Sequence, residues 1–184
     1  MKISAEVLHE LCPQTSISRL ELFVEPMNAT IAEFGIERVA EFLAQIAHES
    51  GGFRYTREIW GPTPAQARYE GRADLGNTEK GDGSRYRGRG LIQVTGRANY
   101  RACGLALDLP LLDSPEYLER PMIAARSAGW FWQSRKLDEI DDFERLTRRI
   151  NGGTNGLADR YAYLGRAKAA LADPDATNPQ GGIT

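Results

Sequence analysis

At 184 residues, with 41% hydrophobic and 26% charged content, the chain has the composition of a one-domain globular protein long enough to bury a core. A net charge of −2 excludes a protein drawn by bulk charge onto nucleic acid or an acidic membrane surface. Its two cysteines, Cys12 and Cys103, are far apart and form no Cys-x-x-Cys pattern, so they read as free thiols rather than a disulfide framework.

Residues 1–11 carry Lys2, Glu6, His9 and Glu10 and no apolar core of a secretory signal. No stretch approaches the roughly 18 apolar residues that span a bilayer, so no membrane insertion is expected. Ser4 is placed to cap a short helix carrying Val7, Leu8 and Leu11, which Pro13 ends. Pro26 suits the first position of a helix running to about Phe34, with Met27, Ile31 and Phe34 on one face. Beyond Gly35, the residues Ile36, Val39, Ala40, Leu43, Ile46 and Ala47 recur at spacings of three and four, a helix with one buried stripe. Gly51-Gly52 stops it.

From Phe53 to Gly90 the periodicity fails. Pro62, Pro64 and seven glycines from Gly61 to Gly90 predict a long ordered loop, a feature that compact domains usually keep for function. Leu91 to Thr95 reads as a short extended segment. Ser114-Pro115 forms an N-cap and first-turn pair, and Pro121 starts a helix bearing Ile123, Ala124, Ala128 and Phe131. Asp141 is placed to cap a helix with Phe143, Leu146 and Ile150, which Asn151-Gly152-Gly153 breaks. Leu157, Tyr161, Leu164, Ala167 and Leu171 form the last stripe. Beyond Asp173 the prolines and glycines read as a loose tail. The predicted class is mainly α with at most a small β element, in one domain over 1–172 followed by a flexible tail at 173–184.

Glu49 is the first candidate for chemistry. It stands in the last turn of the apolar helix, immediately before a glycine break. The negative end of the helix and the poor hydration there both disfavour a carboxylate, the setting a general acid needs to keep its proton. Hydrolysis of a glycosidic bond requires a second carboxylate to activate water. Glu58, nine residues on and beside Trp60, and Glu70, farther along the loop, are the candidates. The run from Gly81 to Gly96 alternates Arg85, Arg87 and Arg89 with glycines that permit close backbone approach. In an extended segment Gln93 and Thr95 point to the same side, where the Thr95 hydroxyl is placed to hold a water. Such a basic and aromatic run also suits single-stranded nucleic acid, but no second basic stripe supports it. His9 and His48 have no ligand-spaced partners, so no metal site is expected. No nucleophile-elbow sequence accompanies either histidine.

Taken in order, these segments resemble the family 19 glycoside hydrolases, the chitinase-like family that includes phage endolysins. The resemblance rests on Phe42 through Ser50, Tyr86 through Thr95, Asn99-Tyr100, Gly129 through Trp132, Arg149 through Gly153, and Ala158-Asp159-Arg160. It spans about 36–171. It implies a lysozyme-like, two-lobed helical domain with a central cleft, needing no cofactor. It assigns the general acid to Glu49 and an inverting mechanism in which the two carboxyls stand roughly 6.5–9.5 Å apart. Thr95 matches the hydroxyl that helps hold the attacking water. His48, Tyr86, Arg87, Gln93, Asn99, Asn151 and Arg160 match positions that line the cleft or orient its carboxylates. Plant members favour Glu70 as the base, whereas the phage-type branch favours Glu58, which is preferred here. The implied partner is the glycan strand of peptidoglycan, cut by a monomer between N-acetylmuramic acid and N-acetylglucosamine. A chain without a signal peptide is expected in the host cytoplasm until the membrane is permeabilised. The alternatives are a chitinase acting on chitin oligomers and a non-catalytic glycan-binding module.

Overall fold

Ser4 closes the start of α1 (Ala5–Leu11) as the sequence predicts, its hydroxyl accepting the Val7 N–H at 3.3 Å. The computed structural model describes residues 2–172, and the tail expected at 173–184 lies outside them. The next helix corrects the reading. α2 runs from Ile17 to Phe34 with Pro26 in its interior, not at its start. An interior proline removes one backbone rung at a cost of about 3 kcal/mol. Burial of Leu20, Phe23 and Met27 on both sides of it holds the two halves in one helix. Gly35 ends α2 in the left-handed conformation. α3 then spans Val39–Glu49, so Ile36 belongs to the buried turn before the helix.

The long loop is ordered, as predicted, and holds small pieces of structure. These are α4 (Pro64–Ala67), a 3-10 turn at Ala73–Leu75 and α5 (Asp82–Arg85). The extended reading of Leu91–Thr95 is corrected. The chain turns at Leu91–Gln93, with Gln93 at φ +55°, so that Arg89 pairs back onto Val94 in an isolated antiparallel bridge. A second bridge joins Arg57 to Arg89, and among the described residues these two are the only β structure.

α6 (Arg97–Leu107) follows, a helix the periodicity did not reveal because its buried face holds only Tyr100, Cys103, Gly104 and Leu107, while Leu105 stands exposed off it. A 3-10 turn at Pro115–Glu119 leads into α7 (Pro121–Ser134), which begins where predicted; the Ser114 side chain makes no capping bond. For α8 (Phe143–Asn151) the cap is displaced by one residue. Asp142 accepts the Arg145 N–H at 2.7 Å, while Asp141 pairs with Arg38 at 2.8 Å. α9 spans Leu157–Ala172.

The broadest helix contacts are α3 along α9 and α2 along α7, with α1 bridging α2 and α9. Phe42 meets the edge of Trp132 at 5.2 Å in the core between them. The mainly helical class is therefore as expected. Cys12 and Cys103 are both free and buried, and burial pushes each thiol up to about 12. No described helix is long and apolar enough to cross a membrane.

Candidate active site

Glu49 is the last residue of α3, and its surroundings differ from the purely apolar setting the sequence suggested. The Nη2 of Arg160, from the first turns of α9, donates to Glu49 Oε1 at 2.5 Å. Arg160 is itself only 2% exposed, so this is a buried cation facing a carboxylate that is about one fifth exposed. The same guanidinium donates through Nη1 to the Gln45 carboxamide oxygen and through Nε to the Asn155 carbonyl at 3.3 Å. Gln45, one helical turn before Glu49, is fully buried and donates in turn to Thr147 Oγ1 of α8 at 2.9 Å. No buried side-chain nitrogen or oxygen of this cluster is left without a partner, as burial demands.

His48 joins the same wall. Its Nδ1 lies 2.6 Å from Asp159 Oδ2, and because a carboxylate only accepts, that nitrogen carries the proton. The imidazole ring rests directly on Gly156, where any Cβ would collide with it. Asn151, at the end of α8, donates to the Asn155 carbonyl at 3.0 Å and accepts the Gly153 N–H at 2.8 Å. It thus shapes the turn that Arg160 also holds.

Directly after Glu49 the chain reverses. Gly51, Gly52 and Phe53 all have positive φ, at 59°, 75° and 64°. A left-handed phenylalanine costs about 1–3 kcal/mol. Phe53 is fully buried with its ring 5.4 Å from Phe23 of α2, and that burial offsets the strain. The loop then returns to place Glu58 against the Arg87–Val94 turn. Glu58 N–H donates to the Gly88 carbonyl at 2.8 Å, and Gly88 N–H donates to Glu58 Oε2 at 3.0 Å. The other oxygen, Oε1, accepts from Gln66 Nε2 at 3.0 Å. Gln66 is free to donate because its own oxygen closes a capping box with Thr63, accepting the Thr63 N–H at 2.8 Å.

Gly88 is where the loop wall converges. A Cβ on it would stand 2.7 Å from Gln93 Oε1 and 3.4 Å from both Glu58 Oε2 and Thr95 Oγ1. Gln93 and Thr95 therefore face one spot, as expected, but through the turn rather than through strand alternation. Thr95 Oγ1 donates to the Gln93 carbonyl at 2.9 Å, which leaves its lone pairs open. Asn99 donates to the Thr95 carbonyl at 2.8 Å, and Gln93, Thr95 and Asn99 line one recess with Ile150, the neighbour of Asn151.

Glu70 sits differently. Its two oxygens accept the backbone N–H groups of Gly81 at 2.5 Å and Gly83 at 2.9 Å, pinning the start of α5. Tyr86 is 2% exposed and packs on Tyr100 at 5.2 Å, so it supports the loop from beneath and offers a ligand almost no surface. The three alternating arginines divide. Arg85 donates to the Leu112 carbonyl at 2.9 Å, and Arg89 is buried between Glu119 at 2.8 Å and the Tyr100 hydroxyl at 2.9 Å. Arg87 alone turns toward Trp60, 5.0 Å from its ring centroid.

Gln45, Gln66, Asn155 and Asp159 did not stand out as site residues in the sequence. Gln45 had a signal, a lone carboxamide in an apolar stripe one turn before Glu49. Gln66 had another, the Thr-x-x-Gln pattern of a capping box. Asn155 acts through its backbone carbonyl, which no side-chain pattern discloses.

The model of the family described as chitinase class I matches residues 29–141. A glycosyl hydrolase family 19 domain-containing protein of Haemophilus influenzae is 37% identical over 150 residues, which cover 66% of this chain and 74% of that protein. An endochitinase of Arabidopsis thaliana is 36% identical over 147 residues, 77% of this chain but only 50% of the plant protein, so the chain spans about half the length of this relative. The fold is shared with chitinase C of Streptomyces griseus, at a TM-score of 0.71 and 20% identity with 91% of each chain covered. A second bacterial family 19 chitinase gives the same TM-score over 92% of this chain. With family model, relatives and fold in agreement, the chain belongs to glycoside hydrolase family 19.

Proposed function

We propose that the chain is an endolysin-type glycosidase that cuts the peptidoglycan strand between N-acetylmuramic acid and N-acetylglucosamine by an inverting two-carboxylate reaction. The observation that carries the chemistry is the contrast between Glu58 and Glu70. Each carboxylate accepts on both oxygens, but those of Glu70 lie against Gly81 and Gly83 at the start of α5. Glu58 presents Oε2 at the same spot as Gln93 and Thr95, above a glycine that keeps the space open.

In this reading Glu49 protonates the bridging oxygen as the glycosidic bond breaks. Arg160, on Oε1, stabilises the negative charge that Glu49 acquires as its proton leaves. A water over Gly88 gives one proton to Glu58 and is oriented by the open lone pairs of Thr95. Gln93, Asn99 and Asn151 supply amide groups along the cleft, and His48, fixed by Asp159, buttresses the turn beside Glu49. Peptidoglycan is favoured over a neutral polymer by the charge of the groove next to Glu58. A second reading, hydrolysis of chitin oligomers, is favoured by the endochitinase among the relatives and the chitinases among the fold neighbours.

Digestion of purified peptidoglycan and of chitin oligomers, followed by mass spectrometry, tests both. Fragments ending in reducing N-acetylmuramic acid are expected, and cleavage of chitin alone overturns the peptidoglycan reading. Glu49→Gln should lower turnover at least about a hundredfold while glycan binding persists. Equal inertness of wild type and variant would leave a non-catalytic binding module.

A further inference from the structure

Glu58 stands in a groove of about 460 Å³ whose lining includes Arg54, Tyr55, Arg57, Trp60, Arg87 and Glu119. Its acidic groups are already engaged. Glu119 is shared by Arg89 at 2.8 Å and Arg57 at 3.5 Å, and both Glu58 oxygens accept from the loop. Two of its cations lack such partners. Arg54 donates to the Gly51 carbonyl and lies over Tyr55, 5.6 Å from the ring centroid. Arg87 donates to the Ser84 carbonyl and lies over Trp60. Neither has a carboxylate partner among the described residues. Arg57 is 58% exposed and meets Glu119 only loosely.

The groove therefore holds more positive charge than it neutralises. Arg87 registers this, since burial and then the nearby charges of Arg89 and Arg57 hold its pKa below the ordinary arginine value. An arginine held against an aromatic face keeps a pre-set fork of N–H donors, suited to a planar carboxylate. Tyr55 and Trp60 also give apolar surface to a sugar ring at the same place.

Resting on the peptidoglycan reading above, we infer that Arg54, Arg57 and Arg87 form a carboxylate-reading subsite that takes the acidic substituent of the strand beside Glu58. Chitin carries no such group. A peptidoglycan strand carries either the free lactyl carboxylate or, where a stem peptide is attached, the carboxylates of that peptide. The groove is open, so the attraction is partly solvated and is screened within a Debye length of about 8–10 Å at ordinary salt. Its contribution is to selectivity and capture rather than to the bond-breaking step.

Four soluble glycans test the subsite: strands with stem peptides, strands stripped to the lactyl carboxylate, the same strands with carboxyls amidated, and a chitin oligomer. Wild type should favour acidic over amidated strands by about tenfold in kcat/KM at low salt, and 0.5 M salt should erase most of that preference. Arg57→Gln and Arg54→Gln should each shrink the acidic-to-amidated ratio, and Arg87→Lys, which keeps charge but loses the fork, should shrink it less than Arg87→Gln. Preference retained on stripped strands identifies the lactyl carboxylate as the ligand, and preference only with stems identifies the peptide. A wild-type ratio near one, or arginine variants that depress both substrates equally, overturns the inference. If wild type cuts no peptidoglycan, the function proposed above fails, and binding of the same strands to Glu49→Gln decides the subsite separately. Arginine-dependent capture of acidic strands sustains it, and indifference to the carboxylate removes it as well.

Discussion

Glu49 and Glu58 are nine residues apart in the chain, yet the molecule holds them by opposite means. Glu49 is fixed by side chains from α3, α8 and α9, in a cluster whose members Gln45 and Arg160 are almost wholly buried. Glu58 is fixed by the backbone N–H of Gly88 and by the carboxamide of Gln66, from the short α4 within the long loop. The helical wall is thus part of the core, so its geometry comes with the global fold. The loop wall is assembled locally, over a glycine and a capping box. Damage to the first should register as lost stability, and damage to the second as lost turnover in a folded protein.

The sharpest test of that division is Glu58→Gln. It keeps the shape and the Gly88 contact but removes the proposed base, so kcat should fall about 10²–10⁴-fold with little change in thermal midpoint. Glu70→Gln should do the reverse, lowering the midpoint by a few degrees while activity per folded molecule persists; a turnover loss matching that of Glu58→Gln would reassign the base. On the helical wall, Arg160→Met leaves Glu49 and Gln45 without their partner, and denaturant melts should show a loss of about 3 kcal/mol. Unchanged stability there would break the comparison. Gly88→Ala comes next. Its methyl would stand 3.4 Å from both Glu58 Oε2 and Thr95 Oγ1, where the water is proposed to sit, and kcat should fall about tenfold or more. Strand binding by the same variant, measured alongside, should change little.

The smallest effect concerns pH. Burial of Asp82 works against its charge, but the Arg97 side chain and the Glu79 backbone N–H outweigh it, so its carboxyl lies below the ordinary value of 3.8. A depressed carboxyl contributes stability that is present above the unfolded value and fades as pH falls through the folded one. Asp82→Asn should therefore cost thermal stability at neutral pH, and the gap from wild type should narrow in acid below about pH 4. A gap that widens in acid would contradict the assigned pairing of α5 with α6.

Much of the helical wall could be read from the chain. The three-and-four spacing of Val39, Leu43, Ile46 and Ala47 placed Glu49 at a helix end, and the glycines after it marked the reversal. What periodicity could not give was Arg160. A buried arginine is recognised only when its acceptors are known, and two of these, Gln45 and Glu49, come from α3, far along the chain, while the third is the nearby Asn155 carbonyl. The loop wall was less legible. Leu91 to Thr95 has the residue types of a strand, but Gln93 takes a left-handed conformation where the chain turns back to pair Val94 with Arg89, a residue before the segment. The choice between Glu58 and Glu70 likewise turns on which backbone N–H groups each meets. Pro26 misled for a related reason: local proline chemistry favours a helix start, and packing against α7 and α1 overrode it.

Phe53 carries one more lesson. Its left-handed backbone is tolerable only while its ring is sheltered beside Phe23, so the bend after Glu49 is underwritten by a helix that precedes both glutamates. An excised peptide covering 45–60 would contain each carboxyl yet relax out of the bend, with no fixed distance between them. Their spacing is a property of the assembled molecule, and the short segment that carries them does not encode it alone.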